Sequence, residues 1–270
     1  LLILQPHWTS LRLYDCDQHA ETVLEVIRQE KLPFDVMLGA YIVAEVNNYE
    51  CPWGGMYANV ELDANIVYNQ ARIQKLIQLA NAYPDIITSV SAGNEAAVSW
   101  TDHLVPTTSL LTYVLQLKEG VKQPVTFCEN YVPWLDKIKS VGEAVDFISI
   151  HTYPVWEFKT IEDALQYTIE NYHAVTHACP NKQVVITEAG WATNSNGRGI
   201  PPHHVNEELQ QEYLRQLMNW AEAEGVLVYL FEAFDENWKG SDDPLEPEKH
   251  WGLFHTDRTP KLVMREKVTA

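Results

Sequence analysis

Positive charge is scarce in this chain. Its 270 residues include 19 Lys and Arg against 37 Asp and Glu, which gives a formal net charge of −18. Nucleic acids and anionic membrane surfaces attract basic side chains, so neither is expected as a partner. A neutral substrate is compatible with this charge.

Cysteine pairs and phosphate-binding glycine motifs are also missing. The four cysteines, Cys16, Cys51, Cys128 and Cys179, form no C-x-x-C pair and are expected to be isolated thiols. No apolar run reaches the ~18 residues that span a bilayer. The motifs G-x-G-x-x-G and G-x-x-x-x-G-K-[ST] are absent, which argues against a nucleotide-binding sheet. The H-E-x-x-H motif is absent as well, and we predict neither a metal nor a cofactor.

Apolar, β-branched segments alternate with amphipathic ones along the chain. Seven segments are predicted as strands: Ser10–Asp15, Asp35–Ile42, Ile87–Glu95, Pro124–Asn130, Phe147–Pro154, Val184–Trp191 and Val226–Glu236. Helical spacing is found in His19–Gln29, Asn65–Ala82, Thr107–Lys118, Ile161–Ala178 and Asn206–Glu224. Asp63 is the predicted N-cap of the second helix. This alternation indicates parallel strands joined by helices.

The predicted fold class is α/β, a (β/α)8 TIM barrel. A chain of 270 residues fits one catalytic barrel domain over residues 1–270. A barrel is favoured over an open sheet because the candidate catalytic residues end several different strands. Such a barrel has eight strands, and the opening LLILQPHWTS resembles the end of a helix. We therefore expect that the first strand is missing from this chain and belongs to a preceding segment.

Two glutamates stand at the ends of predicted strands. Glu95 ends the segment SAGNE, and Glu188 lies in the segment TEAGW. Glycoside hydrolysis needs two carboxyl groups that flank the bond to be cut. A single glutamate at a strand end is more often a structural acid, but two at matching ends favour catalysis. Asn94, directly before Glu95, is placed to contact the 2-hydroxyl of a sugar.

Four motifs together resemble one enzyme family. They are LRLYD at Leu11–Asp15, HTYP at His151–Pro154, TEAGW around Glu188 and FEAFDENWK at Phe231–Lys239. In this order, over nearly the whole chain, they resemble glycoside hydrolase family 17, the β-1,3-glucanases, within the clan of retaining barrel glycosidases. The resemblance implies Glu95 as acid/base and Glu188 as nucleophile, with carboxyl groups about 5–5.5 Å apart.

The resemblance also implies a set of substrate-binding residues. Tyr153 is expected to donate its hydroxyl to Glu188. A charged cluster is expected either to hold sugar hydroxyls and orient Glu95 or to form a structural network at the barrel rim; its members are Glu232, Asp235, Glu236 and Lys239. Aromatic rings that can stack on sugars are predicted, from their places at strand ends, at Tyr41, Trp53, Trp156, Trp191, Trp238 and Trp251.

The expected activity is endo-type hydrolysis of a laminarin-like β-1,3-glucan. A β-1,3-glucanosyltransferase with the same intermediate is the first alternative, and a non-catalytic glucan-binding barrel is the second. A barrel glycosidase of another specificity, such as a β-1,4-glucanase or mannanase, is the third. The stretch Val46–Glu61 is predicted to wall one end of the cleft and so to influence the choice between endo and exo action. We expect a monomer that is secreted, periplasmic or at the cell surface.

Overall fold

The computed structural model describes residues 1–265, which contain seven strands and eight α-helices. The strands are β1 (Ser10–Leu13), β2 (Asp35–Gly39), β3 (Ile87–Asn94), β4 (Val125–Asn130), β5 (Ile148–His151), β6 (Val184–Ala189) and β7 (Val228–Leu230). The helices are α1 (Gln18–Glu30), α2 (Asn59–Ala82), α3 (Thr107–Gly120), α4 (Tyr131–Trp134), α5 (Lys139–Ala144), α6 (Ile161–Ala178), α7 (Glu207–Glu224) and α8 (Leu262–Arg265). Strands and helices therefore alternate as the sequence predicts.

The strands follow one another through the sheet in sequence order, from β1 to β7. Neighbouring strands pair in parallel, as seen for β1–β2, β2–β3, β3–β4 and β6–β7. Among residues 1–265, no helix combines the length and the apolarity that a bilayer span needs. The chain divides into two compact units: the first is Leu1–Ile150 with Val175–Val184, and the second comprises His151–Ala174 and the residues from Val185 onward.

The first unit is built on the buried strands β2, β3 and β4. Val36, Leu38 and Val90 are fully buried in these strands, and so is Phe127. Parallel strands covered on both faces need apolar side chains on both, which explains their nearly continuous apolar runs. Helices α2 and α3 bury apolar side chains of their own, including Ile73, Leu76, Leu110 and Leu117.

The second unit contains β6, β7 and α7. Every residue of β6 is buried. Helix α7 begins after Asn206, whose side chain accepts from the amide of Leu209 at 2.7 Å, and is capped at its end by Gly225 with a φ of 66°. Inside α7, the buried Gln210 donates to the carbonyl of Trp191 at 2.9 Å and lies 3.2 Å from that of Gly252. This helix therefore anchors the segments that follow both strands.

The structure corrects several predicted element boundaries. β7 ends at Leu230 instead of Glu236. The prediction of Asp63 as an N-cap is wrong, because α2 begins at Asn59 and Asp63 lies within it. The opening residues form hydrogen-bonded turns, such as the bond from the amide of Gln5 to the carbonyl of Leu1, instead of an α-helix. All four cysteines are free, which confirms the prediction of isolated thiols.

Candidate active site

Glu95 follows directly after β3, and its backbone has an unusual conformation. Its φ of 45° lies in the left-handed region, which costs a residue other than glycine about 1–3 kcal/mol. The amide of Glu95 donates to the carbonyl of Cys128 at 2.9 Å. Just beyond, the amide of Ala97 donates to Oε2 of the buried Glu129 at 2.7 Å. These bonds hold the turn that carries Glu95, and backbone strain of this kind clusters at functional positions.

The glycine before Asn94 is required by close packing. A Cβ on Gly93 would lie 2.8 Å from Cδ1 of Ile42 and 2.9 Å from Cε2 of Phe127. Both neighbours are buried, so neither has open space to move into. The Gly-Asn-Glu sequence at the end of β3 is thus fixed in part by the core beneath it.

Asn94 is oriented by two neighbouring side chains. Nη2 of Arg12 lies 2.5 Å from Oδ1 of Asn94. An arginine side chain only donates, so this bond turns the amide oxygen towards Arg12 and the NH2 group away from it. Nε2 of His103 lies 2.9 Å from the carbonyl oxygen of Asn94. The NH2 group has no partner in the part of the chain that the structure describes, and it can donate to a ligand hydroxyl.

Tyr41 lies just beyond β2, beside His103. The two ring centroids are 5.1 Å apart, and the amide of Tyr41 donates to Oδ1 of Asp15 at 3.0 Å. Burial, with a smaller contribution from Asp102, raises the pKa of Tyr41 to about 12. Its hydroxyl therefore stays neutral at physiological pH and remains a hydrogen-bond donor.

Glu188 lies within β6 and is only 5% exposed. The hydroxyl of Tyr153 donates to Oε2 of Glu188 at 2.5 Å, which confirms the predicted contact. Nε2 of the buried His151 lies 3.3 Å from the other carboxylate oxygen. The amide of Thr152 donates to the carbonyl of Glu188 at 3.1 Å. The residues at the end of β5 therefore contact both the backbone and the side chain of Glu188.

Tyr153 is itself positioned by aromatic rings. Its centroid lies 5.1 Å from that of Trp251 and 5.7 Å from that of Phe231, edge-on in both cases. Trp251 also packs against Trp156 at 5.9 Å. Trp251 is 1% exposed, whereas Trp156 is half-buried. The rings restrict the orientation of the Tyr153 side chain and so help to fix its hydrogen bond to Glu188. Because Trp156 is partly exposed, its ring is accessible to a ligand.

Three of the four predicted cluster residues form a charged group. Nζ of Lys239 lies 2.7 Å from Glu232 and 2.6 Å from Glu236, and 4.7 Å from the ring centroid of Phe231. Burial raises the pKa of Glu232 to about 8, although Lys239 acts in the opposite direction. Oε1 of Glu232 is buried without a hydrogen-bond partner among residues 1–265. A buried oxygen of this kind suits a ligand that can hydrogen-bond to it.

Asp235 does not belong to this group. It is 6% exposed, and Oδ1 accepts from Nζ of Lys261 at 2.7 Å and from the amide of Gly252 at 2.9 Å. The side chain of Lys261 is fully buried and also donates to Oγ1 of Thr193 at 2.7 Å. A cleft of about 540 Å³ opens beside Asp235, lined by polar side chains that include Glu207 and His255. For Asp235 these contacts favour the structural-network interpretation of the predicted cluster, and its role in substrate binding stays a prediction.

The tryptophans differ sharply in exposure. Trp191 is 0% exposed, and its indole N–H donates to the carbonyl of His204 at 2.9 Å. A fully buried ring has no free face for a sugar, so its predicted stacking role is corrected to packing. Trp238, next to Lys239, is 76% exposed and presents its ring to solvent.

Three residues of these networks were not singled out from the sequence. Arg12 and His151 lie inside the LRLYD and HTYP motifs, and a polar residue within an otherwise apolar strand was a usable signal for both. His103 lies in a loop with no comparable pattern. Its position beside Asn94 depends on chain segments that meet only in the fold.

The family model and the curated relatives indicate one family. The family model of the BtgE/BtgC glycoside hydrolase domain matches residues 1–252. A glucan 1,3-β-glucosidase of Schizosaccharomyces pombe is 24% identical over 96% of this chain and 77% of its own length. Some relatives are much longer: the chain spans 38% of one from Aspergillus niger that is 28% identical.

Solved structures share the fold. The crystal structure of an endo-laminarinase from Formosa has a TM-score of 0.83 at 24% identity, covering 97% of this chain and 78% of that one. An active-site mutant of a Rhizomucor miehei β-1,3-glucanosyltransferase, in complex with laminaritriose, has a TM-score of 0.76 at 21% identity. The match covers 97% of this chain and 87% of the glucanosyltransferase chain. These similarities confirm the predicted (β/α)-barrel fold class. Because the family model matches most of the chain, the chain belongs to the BtgE/BtgC glycoside hydrolases. Its resemblance to glycoside hydrolase family 17 is thereby confirmed.

Proposed function

We propose that this glycoside hydrolase cleaves β-1,3-glucan with retention of configuration, using Glu95 as acid/base and Glu188 as nucleophile. The observation that carries the proposal is the hydrogen bond from Tyr153 that orients the buried Glu188 carboxylate at the carboxyl end of β6. Glu95 follows the carboxyl end of β3. In (β/α) barrels, catalytic groups occupy this end of the strands.

The proposed reaction has two steps. In the first, the Glu188 carboxylate attacks the anomeric carbon while Glu95 gives its proton to the departing glycosidic oxygen, whose bond to that carbon breaks. In the second, Glu95 takes a proton from a water that attacks the same carbon and releases Glu188. This chemistry needs carboxyl groups about 5–5.5 Å apart, and that separation stays a prediction.

The substrate is proposed from the relatives and from the polar groups near the glutamates. The Schizosaccharomyces pombe relative is named a glucan 1,3-β-glucosidase, and the Formosa structure is an endo-laminarinase. The NH2 group of Asn94 is placed to donate to a sugar hydroxyl, and the buried Oε1 of Glu232 is an oxygen to which a sugar hydroxyl can hydrogen-bond. Further binding contacts are proposed for residues with accessible rings or charges: Tyr41, Tyr153, Trp156, Glu236, Trp238 and Lys239. Endo action remains our preferred mode.

A second candidate is β-1,3-glucanosyl transfer. It is favoured by the similarity to the Rhizomucor miehei glucanosyltransferase, which was solved with laminaritriose. Both reactions share the glycosyl-enzyme, and they differ in whether water or a sugar hydroxyl accepts the glycosyl group. Products longer than the starting oligosaccharide identify transfer, and shorter ones alone identify hydrolysis.

The decisive experiment compares wild type and Glu188→Ala on laminari-oligosaccharides, with β-1,4-glucan and mannan as specificity controls. We expect wild type to cleave only the β-1,3-linked substrates. Glu188→Ala should lose turnover, and azide should restore cleavage of an activated glycoside as a glycosyl azide of inverted configuration. Near-normal turnover by Glu188→Ala excludes it as the nucleophile, and cleavage confined to β-1,4-glucan or mannan excludes the proposed substrate. Binding of laminarin by wild type without turnover supports a non-catalytic barrel instead.

We also propose that the protein acts outside the cytoplasm. A polysaccharide does not cross a membrane unaided, so the enzyme has to meet it where the polymer lies. A single catalytic domain and a monomeric state remain predictions, and size-exclusion chromatography with light scattering tests the second.

A further inference from the structure

The loop between β2 and α2 exposes an unusual amount of apolar surface. Within residues 43–58, which we name the β2–α2 loop, Tyr49 is 82% exposed, Trp53 is 61% exposed and Met56 is 55% exposed. Single exposed apolar residues are common on protein surfaces. Two aromatic rings and a methionine within one short loop are less easily explained by chance.

The loop is nevertheless held by buried polar groups. Asn48 is 4% exposed, and its NH2 group donates to the carbonyls of Ser99 at 2.8 Å and Thr101 at 2.7 Å. Its own amide donates to the carbonyl of Gly55 at 2.8 Å. The amide of Tyr57 donates to Oδ1 of Asn47 at 2.7 Å. These bonds fix the backbone from which the exposed rings project, and a pre-ordered loop lowers the entropic cost of binding.

The same bonds connect the loop to the segment that follows Glu95. The hydroxyl of Tyr57 donates to the carbonyl of Asp102 at 2.8 Å. The amide of Glu45 donates to the carbonyl of Leu104 at 3.0 Å. Between these residues, His103 reaches the carbonyl of Asn94 at 2.9 Å. The loop therefore lies at the carboxyl end of β2 and β3, the end that carries Glu95.

We infer that Trp53, together with Tyr49 of the same loop, is a stacking platform for a sugar unit of a β-glucan chain remote from the bond being cleaved. This inference rests on the proposed function. Pyranose rings present flat apolar faces that match an exposed indole, while the indole N–H supplies a polar edge. The net charge of −18 disfavours polyanions and leaves a neutral polysaccharide as the matching occupant.

A platform away from the cleaved bond makes activity depend on chain length. Only an oligosaccharide long enough to reach Trp53 gains from it, and a short substrate does not. Because the contact is the same in the ground state and the transition state, its loss raises KM and leaves kcat unchanged. Trp53→Ala should therefore lower kcat/KM on laminarin and long laminari-oligosaccharides roughly 2- to 10-fold, with no change on a short aryl glycoside.

The variants Trp53→Ala, Trp53→Phe, Tyr49→Ala and Leu115→Ala test this. Leu115 is 47% exposed on α3 and serves as the matched control for loss of exposed apolar surface. Trp53→Phe keeps a ring face and should retain part of the activity on long chains. Melting temperatures equal to wild type show that the loop is intact.

The outcomes are distinguishable. Loss on long substrates alone, with partial rescue by Phe, supports the platform. Equal loss at every length, or no loss at any length, overturns it while the proposed function stands; no loss at any length then favours a protein partner for these rings. If wild type cleaves no β-1,3-glucan at all, the proposed function is wrong, and so is the assignment of a β-glucan chain to Trp53.

Discussion

The left-handed backbone of Glu95 makes the proposed acid/base testable without disturbing its turn. Asparagine tolerates positive φ better than most residues, so Glu95→Asn removes the acid while suiting a φ of 45°. We expect kcat/KM on natural glucans to fall roughly 10²- to 10⁴-fold. Aryl glycosides whose leaving groups need no protonation should lose much less in the first step. Initial rates on laminarin and on a dinitrophenyl glycoside measure this, and equal losses on both contradict Glu95 as the acid.

Glu232 links the site to stability through its protonation. Burial raises its pKa from 4.5 to about 8. Between these values the native state binds more protons than the unfolded state, so the free energy of unfolding falls as pH rises. Glu232→Gln stays neutral and can still accept from Lys239. We expect the stability of the variant relative to wild type to increase steadily as pH rises from about 5 to about 8.

Urea unfolding across this pH range measures the effect of Glu232→Gln. Glu222→Gln, the same substitution at an exposed position of α7, is the control and should show no such trend. A constant difference between Glu232→Gln and wild type at every pH would show that Glu232 titrates alike in the folded and unfolded states.

Among the elements, α7 has a defined stabilising cap. Asn206 accepts from the amide of Leu209 at 2.7 Å, and Asn206→Ala should lower the free energy of unfolding by about 1 kcal/mol. Asn219→Ala, on an exposed position of the same helix, should change stability by less than about 0.5 kcal/mol. Thermal or urea unfolding of both variants makes the comparison. Equal effects would mean that the side chain of Asn206 contributes nothing as a cap.

Element types were predictable because strand and helix periodicities differ, and α6 was found at Ile161–Ala178 as predicted. Strand ends were not predictable to the same degree. After β7, the apolar residues Phe231, Ala233 and Phe234 read as a continuing strand, yet the chain leaves the sheet at Leu230. Helices α4 and α5 are too short for periodicity to reveal. The early start of α2 at Asn59 was missed because its first turn exposes Val60 and lacks a capping side chain.

For the molecule as a whole, the sequence indicated the candidate residues better than their environments. Motifs were sufficient to single out Glu95, Glu188 and Tyr153, and the contact between the last two is confirmed. They did not reveal that Trp191 is fully buried or that Asp235 pairs with Lys261. Burial and pairing depend on contacts between segments far apart in the chain, which composition and spacing do not encode.

The buried pair of Asp235 and Lys261 has a consequence for where this domain can be cut. The family match stops at residue 252, before the lysine. A shortened protein made to that limit would retain the carboxylate in the interior and discard the ammonium opposite it. Removing one member of a buried ion pair costs about 3–5 kcal/mol, a large share of what keeps a domain folded. A shortened form of this domain therefore has to extend at least through residue 261 to keep the pair.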